Sequence, residues 1–248
     1  MLADICLETH STILLSQPHG IATLLSSDAL LAPSTDIKLK HGVIGLLKHL
    51  AQSSSQMPTN RAVLSAAGVI QHILRSGVWD DRSDFMLDIV QVNAIGAIKH
   101  LCSNSGKHLF RYTSTCDFTN CFSTVDNSCI FILETVENHP PSTGLSQLLS
   151  LIKRSDAVAI KSEGTRIIVN LIRSLWTNDC KGERNSEELQ TRQQKRANAM
   201  DALLTPACAE ALAALIGRSA KHVVLINEGV VATSLLSMHR DGGEKDKS

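Results

Sequence analysis

Cys116, Cys121 and Cys129, with His108 nearby, form the one cluster in this chain that could be read as a zinc site. Structural zinc is held by closely paired thiolates. No C-x-x-C pair is present, and the irregular spacing favours ordinary free cysteines and no metal. Other reactive constellations are missing too: no G-x-x-x-x-G-K-[ST] loop to cradle phosphates, no G-x-G-x-x-G opening a helix, no H-E-x-x-H and no G-x-S-x-G. The sequence therefore offers no catalytic residue and no cofactor site, and a non-enzyme is expected. What remains are side chains that could bind rather than react. Arg192, Lys195 and Arg196 form a basic cluster, but Glu187 and Glu188 precede it closely, which fits a solvated helix face. Glu163, Arg166, Asn170, Arg173 and Thr177 are more specific: at i, i+3, i+7, i+10 and i+14 they fall on one side of a helix.

The element that must carry that polar line is "AIKSEGTRIIVNLIRSLW", residues 159–176. Ile167, Leu171 and Leu175 lie at i, i+4, i+8 with Ile168, Ile172 and Trp176 beside them, forming a broad apolar stripe. Gly164 sits on the stripe one turn earlier. A residue without a Cβ there lets a neighbouring helix come close, at a cost of about 1 kcal/mol in helix propensity. The spacing thus predicts one unbroken helix with Gly164 as a packing position.

Composition agrees with helices. Aromatic residues make up only 3% of the 248 residues, whereas Leu, Ile, Val and Ala are abundant, which suits helix packed on helix better than a strand sandwich. Lys plus Arg and Asp plus Glu are equal at 24 each, so no overall field points to nucleic acid or an anionic membrane, and any electrostatic partner must meet a local patch. No apolar run reaches the roughly 18 residues that a membrane span needs, so stable membrane insertion is not expected. The 7 cysteines (6, 102, 116, 121, 129, 180 and 208) are odd in number, and no signal-peptide pattern opens the chain. A cytoplasmic monomer is the expectation.

The helices recur. "GIATLL" from Gly20, "GVIQHIL" from Gly68, "GLSQLL" from Gly144 and "GVVATSLL" from Gly229 share a glycine ahead of a leucine-rich turn, and the glycine is read as a helix start each time. A longer amphipathic segment closes on leucine after three of them, with Gly20 to Leu50, Gly68 to Leu101 and Gly144 to Leu175 spanning 30, 33 and 31 residues. "GLLKHLAQSSSQ" from Gly45 matches "GAIKHLCSNSGK" from Gly96, placing His49 and His100 at equivalent positions. "EALAALIGRSAKH" from Glu210 repeats that pattern and leads through "VVLINEG" into Gly229.

This unit, a lead-in helix, a helix of about ten residues and a long closing helix, resembles the armadillo repeat. That resemblance implies a right-handed helical solenoid of about four degenerate repeats, whose third helices line a groove. The expected organisation is armadillo-like repeats over 1–102, an irregular insertion over 103–128 that displaces a lead-in helix, a repeat over 129–178, a polar linker over 179–196, a C-terminal repeat over 197–239 and a disordered tail over 240–248. Residues 110–131 hold four of the 5 Phe and the only Tyr, so the insertion reads either as a binding loop with exposed aromatics or, in preference, as a poorly ordered insertion or altered exon. The direct start in repeat-like sequence, "LADICLETHSTILL", reads as a fragment or short isoform of a longer solenoid.

"IKSEGTRIIVNLIRSLW" followed by "LLTPACAEALAALIGRSAKHVVLINEGVVATSLLS" is, beyond the repeat, similar to the C-terminal repeats of the small-GTPase GDP dissociation stimulators of SmgGDS type, in a fungal or truncated form. The likeness covers about 144–236 best. It implies a scaffold for Rho- and Rap-type small GTPases that carry a polybasic, prenylated tail, with GDP release promoted by binding and no covalent chemistry. On that reading Glu163, Arg166, Asn170 and Arg173 contact the GTPase, with Asn170 as a polar anchor and Glu163 facing basic residues. His49 and His100 stand where armadillo third helices often carry Asn, and read either as groove-facing groups or as histidines favoured near helix C-termini. A general protein-binding scaffold without exchange activity is the alternative. A nuclear-import adaptor is disfavoured, because its Trp-x-x-x-Asn ladder is absent: Trp79 and Trp176 are followed four residues later by Ser83 and Cys180.

Overall fold

The computed structural model describes residues 30–52, 58–79, 86–103, 124–136, 142–176 and 186–244. They form an all-α protein with the helices α1 (Ile37–Gln52), α2 (Pro58–Ala66), α3 (Val69–Arg75), α4 (Leu87–Leu101), α5 (Thr124–Leu133), α6 (Gly144–Arg154), α7 (Val158–Trp176), α8 (Ser186–Leu203), α9 (Pro206–Arg218) and α10 (Val223–Glu244). Among the described residues no strand forms, and Thr135 and Thr143 make an isolated antiparallel bridge.

Local chemistry sets the boundaries. Gly68 precedes α3 with φ 70°, a left-handed conformation that costs glycine little and an L-residue much, so the chain can turn from α2 into α3. Thr143 caps α6 by accepting a hydrogen bond from the Ser146 amide, and Thr205 caps α9 by accepting one from Cys208, with Pro206 just inside that helix. The C-caps of α3, α6 and α9 are Ser76, Ser155 and Ser219, each directly after an arginine. This Arg-Ser ending is a repeat signature that the leucine spacing does not reveal.

Those three helices are the middle members of successive trios: α2, α3, α4, then α5, α6, α7, then α8, α9, α10. The long helices pack in series, α1 on α4, α4 on α7 and α7 on α10. One continuous apolar core runs beneath them, from Ile44 and Leu47 through Ile95 and Ile98 to Ile167, Leu171 and Leu215. Phe131 is wholly buried in it, edge-on to Trp79 with ring centroids 6.0 Å apart, an arrangement that adds about 1 kcal/mol beyond burial.

Gly164 lies inside an unbroken α7, as its spacing predicts. A Cβ there would stand 2.9 Å from Ile152 Cγ1 and 3.4 Å from Leu148 Cδ1, so α6 approaches α7 through the space that a side chain would fill. The expectation for the last repeat is corrected. Gly229 does not start a helix but sits within α10, where a Cβ would come within 2.7 Å of Ile216 Cγ1 of α9. The segment from Glu210 is accordingly part of a middle helix, and Gly229 is the counterpart of Gly164, not of Gly68. Both glycines follow a glutamate, and each receives the isoleucine of a matching Leu-Ile pair, Leu151-Ile152 and Leu215-Ile216.

Three expected boundaries also move. α5 begins at Thr124, inside the stretch expected to be irregular, and holds the place of the lead-in helix that the insertion was to displace. Residues 104–123, including Cys116, Cys121 and His108, lie outside the described residues, whereas Phe131 is core rather than an exposed aromatic. α8 takes up 186–196 of the expected linker, where Arg192 faces Asp126 of α5 at 3.9 Å, and α10 continues to Glu244.

Candidate binding face across the long helices

The polar line of α7 is displaced by well over a right angle from Gly164 at about 100° per residue. It therefore emerges where α7 borders α4 and α10 rather than where it meets α6. Glu163 pairs with Lys99 of α4, and also accepts a hydrogen bond from Arg166 Nη1 at 3.0 Å. Arg166 then grips Glu228 of α10 with two parallel bonds, Nε to Oε2 at 2.9 Å and Nη2 to Oε1 at 3.1 Å. This forked geometry fixes the direction as well as the distance of the pair. Lys99, Glu163, Arg166 and Glu228 thus form a charged ladder from α4 across α7 to α10. Their side chains keep 17% to 32% exposure, so water screens each pair, and each contributes about 1 kcal/mol at most.

The ladder continues towards α1 in another form. Lys48 of α1 donates to Asn93 Oδ1 of α4 at 3.1 Å, and its aliphatic stem lies over Gly96, whose missing Cβ would stand 3.0 Å from Lys48 Cδ. Lys48 and Lys99 are the same repeat position, in "GLLKHL" and "GAIKHL", and each reaches the next long helix.

Asn170 donates through Nδ2 to the Lys99 carbonyl at 3.0 Å, and Ser174 Oγ, one turn on, donates to the Cys102 carbonyl at 2.9 Å. A helix leaves its last carbonyls without intrahelical partners, and α7 thereby satisfies two at the end of α4, while Asn127 of α5 donates to a third, that of Leu101, at 3.2 Å. Arg61 of α2 does the same for α1, with Nε on the Ala51 carbonyl at 3.0 Å. Asn170 is thus an anchor, but of α7 to α4. Arg173 is exposed in the last turn of α7, His49 is exposed at the end of α1, and His100 is half-buried at the end of α4. The two equivalent histidines therefore sit in different surroundings. Thr177 lies outside the described residues.

The electrostatics follow the geometry. Burial pushes the Glu163 carboxyl up, but hydrogen bonds and charge from Lys99, then Arg166, outweigh it and hold the group below its ordinary value. Burial lowers Arg166, and its bonds to Glu228 and Glu163 more than restore it. His100 is brought down from 6.5 to about 4, first by burial and then by Lys99, Arg61 and Arg166, with Glu163 acting in the opposite sense. Burial raises Cys102 to about 12 and Cys129 to about 11, so both are neutral thiols. Among the described residues no group of His, Cys, Asp or Glu side chains could hold a metal ion.

Sequence reasoning finds Glu163, Arg166 and Asn170 but misses Lys48, Asn93, Lys99, Ser174 and Glu228. Signals for three of them were in plain sight: the lysines Lys48 and Lys99 of the matching "KHL" segments, and the glutamate before Gly229 that repeats the one before Gly164. No family model, curated protein or solved structure matches this chain.

Proposed function

We propose that the chain is an armadillo-type, right-handed solenoid that works as a non-catalytic binding scaffold in the cytoplasm, presenting the polar face of its long helices to a protein partner. The observation that carries this reading is the series α1, α4, α7, α10, each long helix joined to the next by polar side chains that keep partial access to water. Recurrence of the Arg-Ser cap and of the glycine sockets adds to it. The partner implied by the resemblance is a small GTPase of Rho or Rap type, with GDP release following if the scaffold binds the nucleotide-poor form more tightly than the GDP-bound one.

The experiment is release of fluorescent GDP from a Rho-family GTPase, run beside a pull-down on the same chain. Faster release with capture is expected. Capture without acceleration favours the second reading, a scaffold with no exchange activity, and loss of both removes the GTPase. One observation favours that second reading: Glu163 and Glu228 are already held by Lys99 and Arg166, so the ladder offers no uncommitted carboxylate to a polybasic tail.

A further inference from the structure

The outer side of α10 is apolar. Of the eight large apolar side chains that stand exposed among the described residues, five belong to this helix: Val223, Val224, Val230, Val231 and Met238, at 38% to 76% exposure. Asn227, also exposed, lies among them, and at about 100° per residue the six fall on an arc of about 120° facing away from Gly229 and α9. The only charge between Val223 and Met238 is Glu228, which Arg166 of α7 holds. The hydroxyls that edge the stripe turn back on their own helix, Thr233 Oγ1 donating to the Gly229 carbonyl at 2.9 Å and Ser237 Oγ to the Ser234 carbonyl at 2.8 Å. They keep those bonds when water leaves, so the stripe costs little to dry.

The same side of α7 is an interface. Glu163-Gly164 and Glu228-Gly229 put the two helices in register, so Val230, Val231 and Ser234 stand where α7 has Thr165, Arg166 and Val169. Thr165 and Val169 are wholly buried, and Arg166 is the residue with which α7 takes hold of α10. α10 thus repeats the side on which a long helix receives the next one, with a valine in place of the arginine. An apolar helix fits there, and a charged rung does not.

We infer that the stripe receives α10 of a second copy of this chain, the two helices antiparallel about a two-fold axis at Asn227. A two-fold contact must be complementary to itself. This stripe has no charge to repel its copy, and a carboxamide both donates and accepts, so Asn227 pairs with its own mate. With the axis there, Val223 comes level with Val231 of the second copy, and Val224 with Val230 of the second copy. A lipid surface is the poorer fit, because the stripe lacks the cations that draw surface helices to anionic headgroups, and no single helix among the described residues is long and apolar enough to cross a membrane. One helix pair about 24 Å long buries little area, so the dimer is weak and forms with concentration. A dimer departs from the monomer expected from the sequence, and it is independent of which partner the scaffold takes.

The test is sedimentation velocity on the full chain, from low micromolar to several hundred micromolar protein. A monomer–dimer equilibrium is expected. Asn227→Asp and Asn227→Lys each set like charges against one another at the axis and should weaken it by about tenfold or more. Their equimolar mixture should regain the dimer, which mixing could not achieve if the substitutions had merely damaged the helix. Leu39→Glu, at an exposed apolar site on α1, should leave the association unchanged. A chain that stays monomeric throughout the range, whether or not it binds phosphatidylserine vesicles, overturns the inference. So does association that the two Asn227 variants leave intact, a mixture that stays monomeric, or loss of the dimer with Leu39→Glu.

Discussion

Replacing Gly164 by alanine should destabilise the protein, although alanine is the better helix former by about 1 kcal/mol. The new Cβ would stand 2.9 Å from Ile152 Cγ1 and 3.2 Å from its Cδ1, well inside the ordinary carbon–carbon separation of about 3.5–4.0 Å. Ile152 is only 7% exposed and cannot swing out into water. Overpacking of this kind costs about 1–3 kcal/mol. Because the obstructing atom is the inner part of a buried branched side chain, the upper half of that range applies, and a net loss of about 1–2 kcal/mol remains after the propensity gain. Gly42→Ala in α1 makes the same chemical change where nothing lies within 4 Å, and should stabilise by about 0.5–1 kcal/mol. Gly229→Ala meets Ile216 at 2.7 Å, but that side chain is half-buried and can turn, so its loss should fall below that at Gly164. The assay is chemical denaturation followed by far-ultraviolet circular dichroism, with the denaturant slope compared between variants to confirm that the transition keeps its cooperativity. A double variant with Ile152→Ala should cost less than the sum of its parts. Stabilisation by Gly164→Ala equal to that by Gly42→Ala, or strict additivity with Ile152→Ala, would refute close packing as the reason for the glycine.

Two further outcomes can be measured in the same way. His100 has a folded-state value of about 4 against an ordinary 6.5, so on acidification the unfolded chain takes up the proton first. Stability should fall as pH drops from about 6.5 to about 4, and His100→Gln should flatten that part of the profile; an unchanged slope would remove His100 as the cause. Lys40 is 4% exposed and its ammonium donates to the Pro33 carbonyl at 2.9 Å and the Ser76 carbonyl at 2.7 Å. Lys40→Met should cost about 1–3 kcal/mol, since it leaves the buried Ser76 carbonyl without this donor, and a neutral result would show that water or a rearranged turn replaces the lysine.

What could be read from the sequence is what depends on neighbours along one helix. The apolar stripe of α7, its opposed polar line and the role of Gly164 follow from a period of 3.6 residues, and all lie as the spacing requires. The partners of Glu163 and Arg166 do not follow, because Lys99 is 64 residues away, Glu228 is 62 from Arg166, and only the packing of α4, α7 and α10 brings them together. Gly229 misled for a related reason. A glycine before an apolar run is both a helix-start signal and a close-packing signal, and the sequence alone cannot separate them until the residue opposite, Ile216, is known. The helix α5 was hidden by its setting: Thr124 to Leu133 follows directly on a polar, cysteine-rich stretch, yet it supplies Phe131 to the core.

The two kinds of contact divide the work of the array. Within a trio, the middle and long helices close through apolar sockets, Ile152 on Gly164 and Ile216 on Gly229, where fit is steric. Between trios, the outer edge of each seam is held instead by Lys48 on Asn93, Lys99 on Glu163 and Arg166 on Glu228, all with side chains that water or another polar chain can reach in part. A hydrogen bond or ion pair at such a place is nearly an exchange, with about 1 kcal/mol or less separating the protein partner from a competing one. The sockets therefore resist substitution, whereas a single bond of the ladder can be lost at little cost in stability. That difference follows from placing the charged residues of α7 on the edge where it meets its neighbours rather than on open surface.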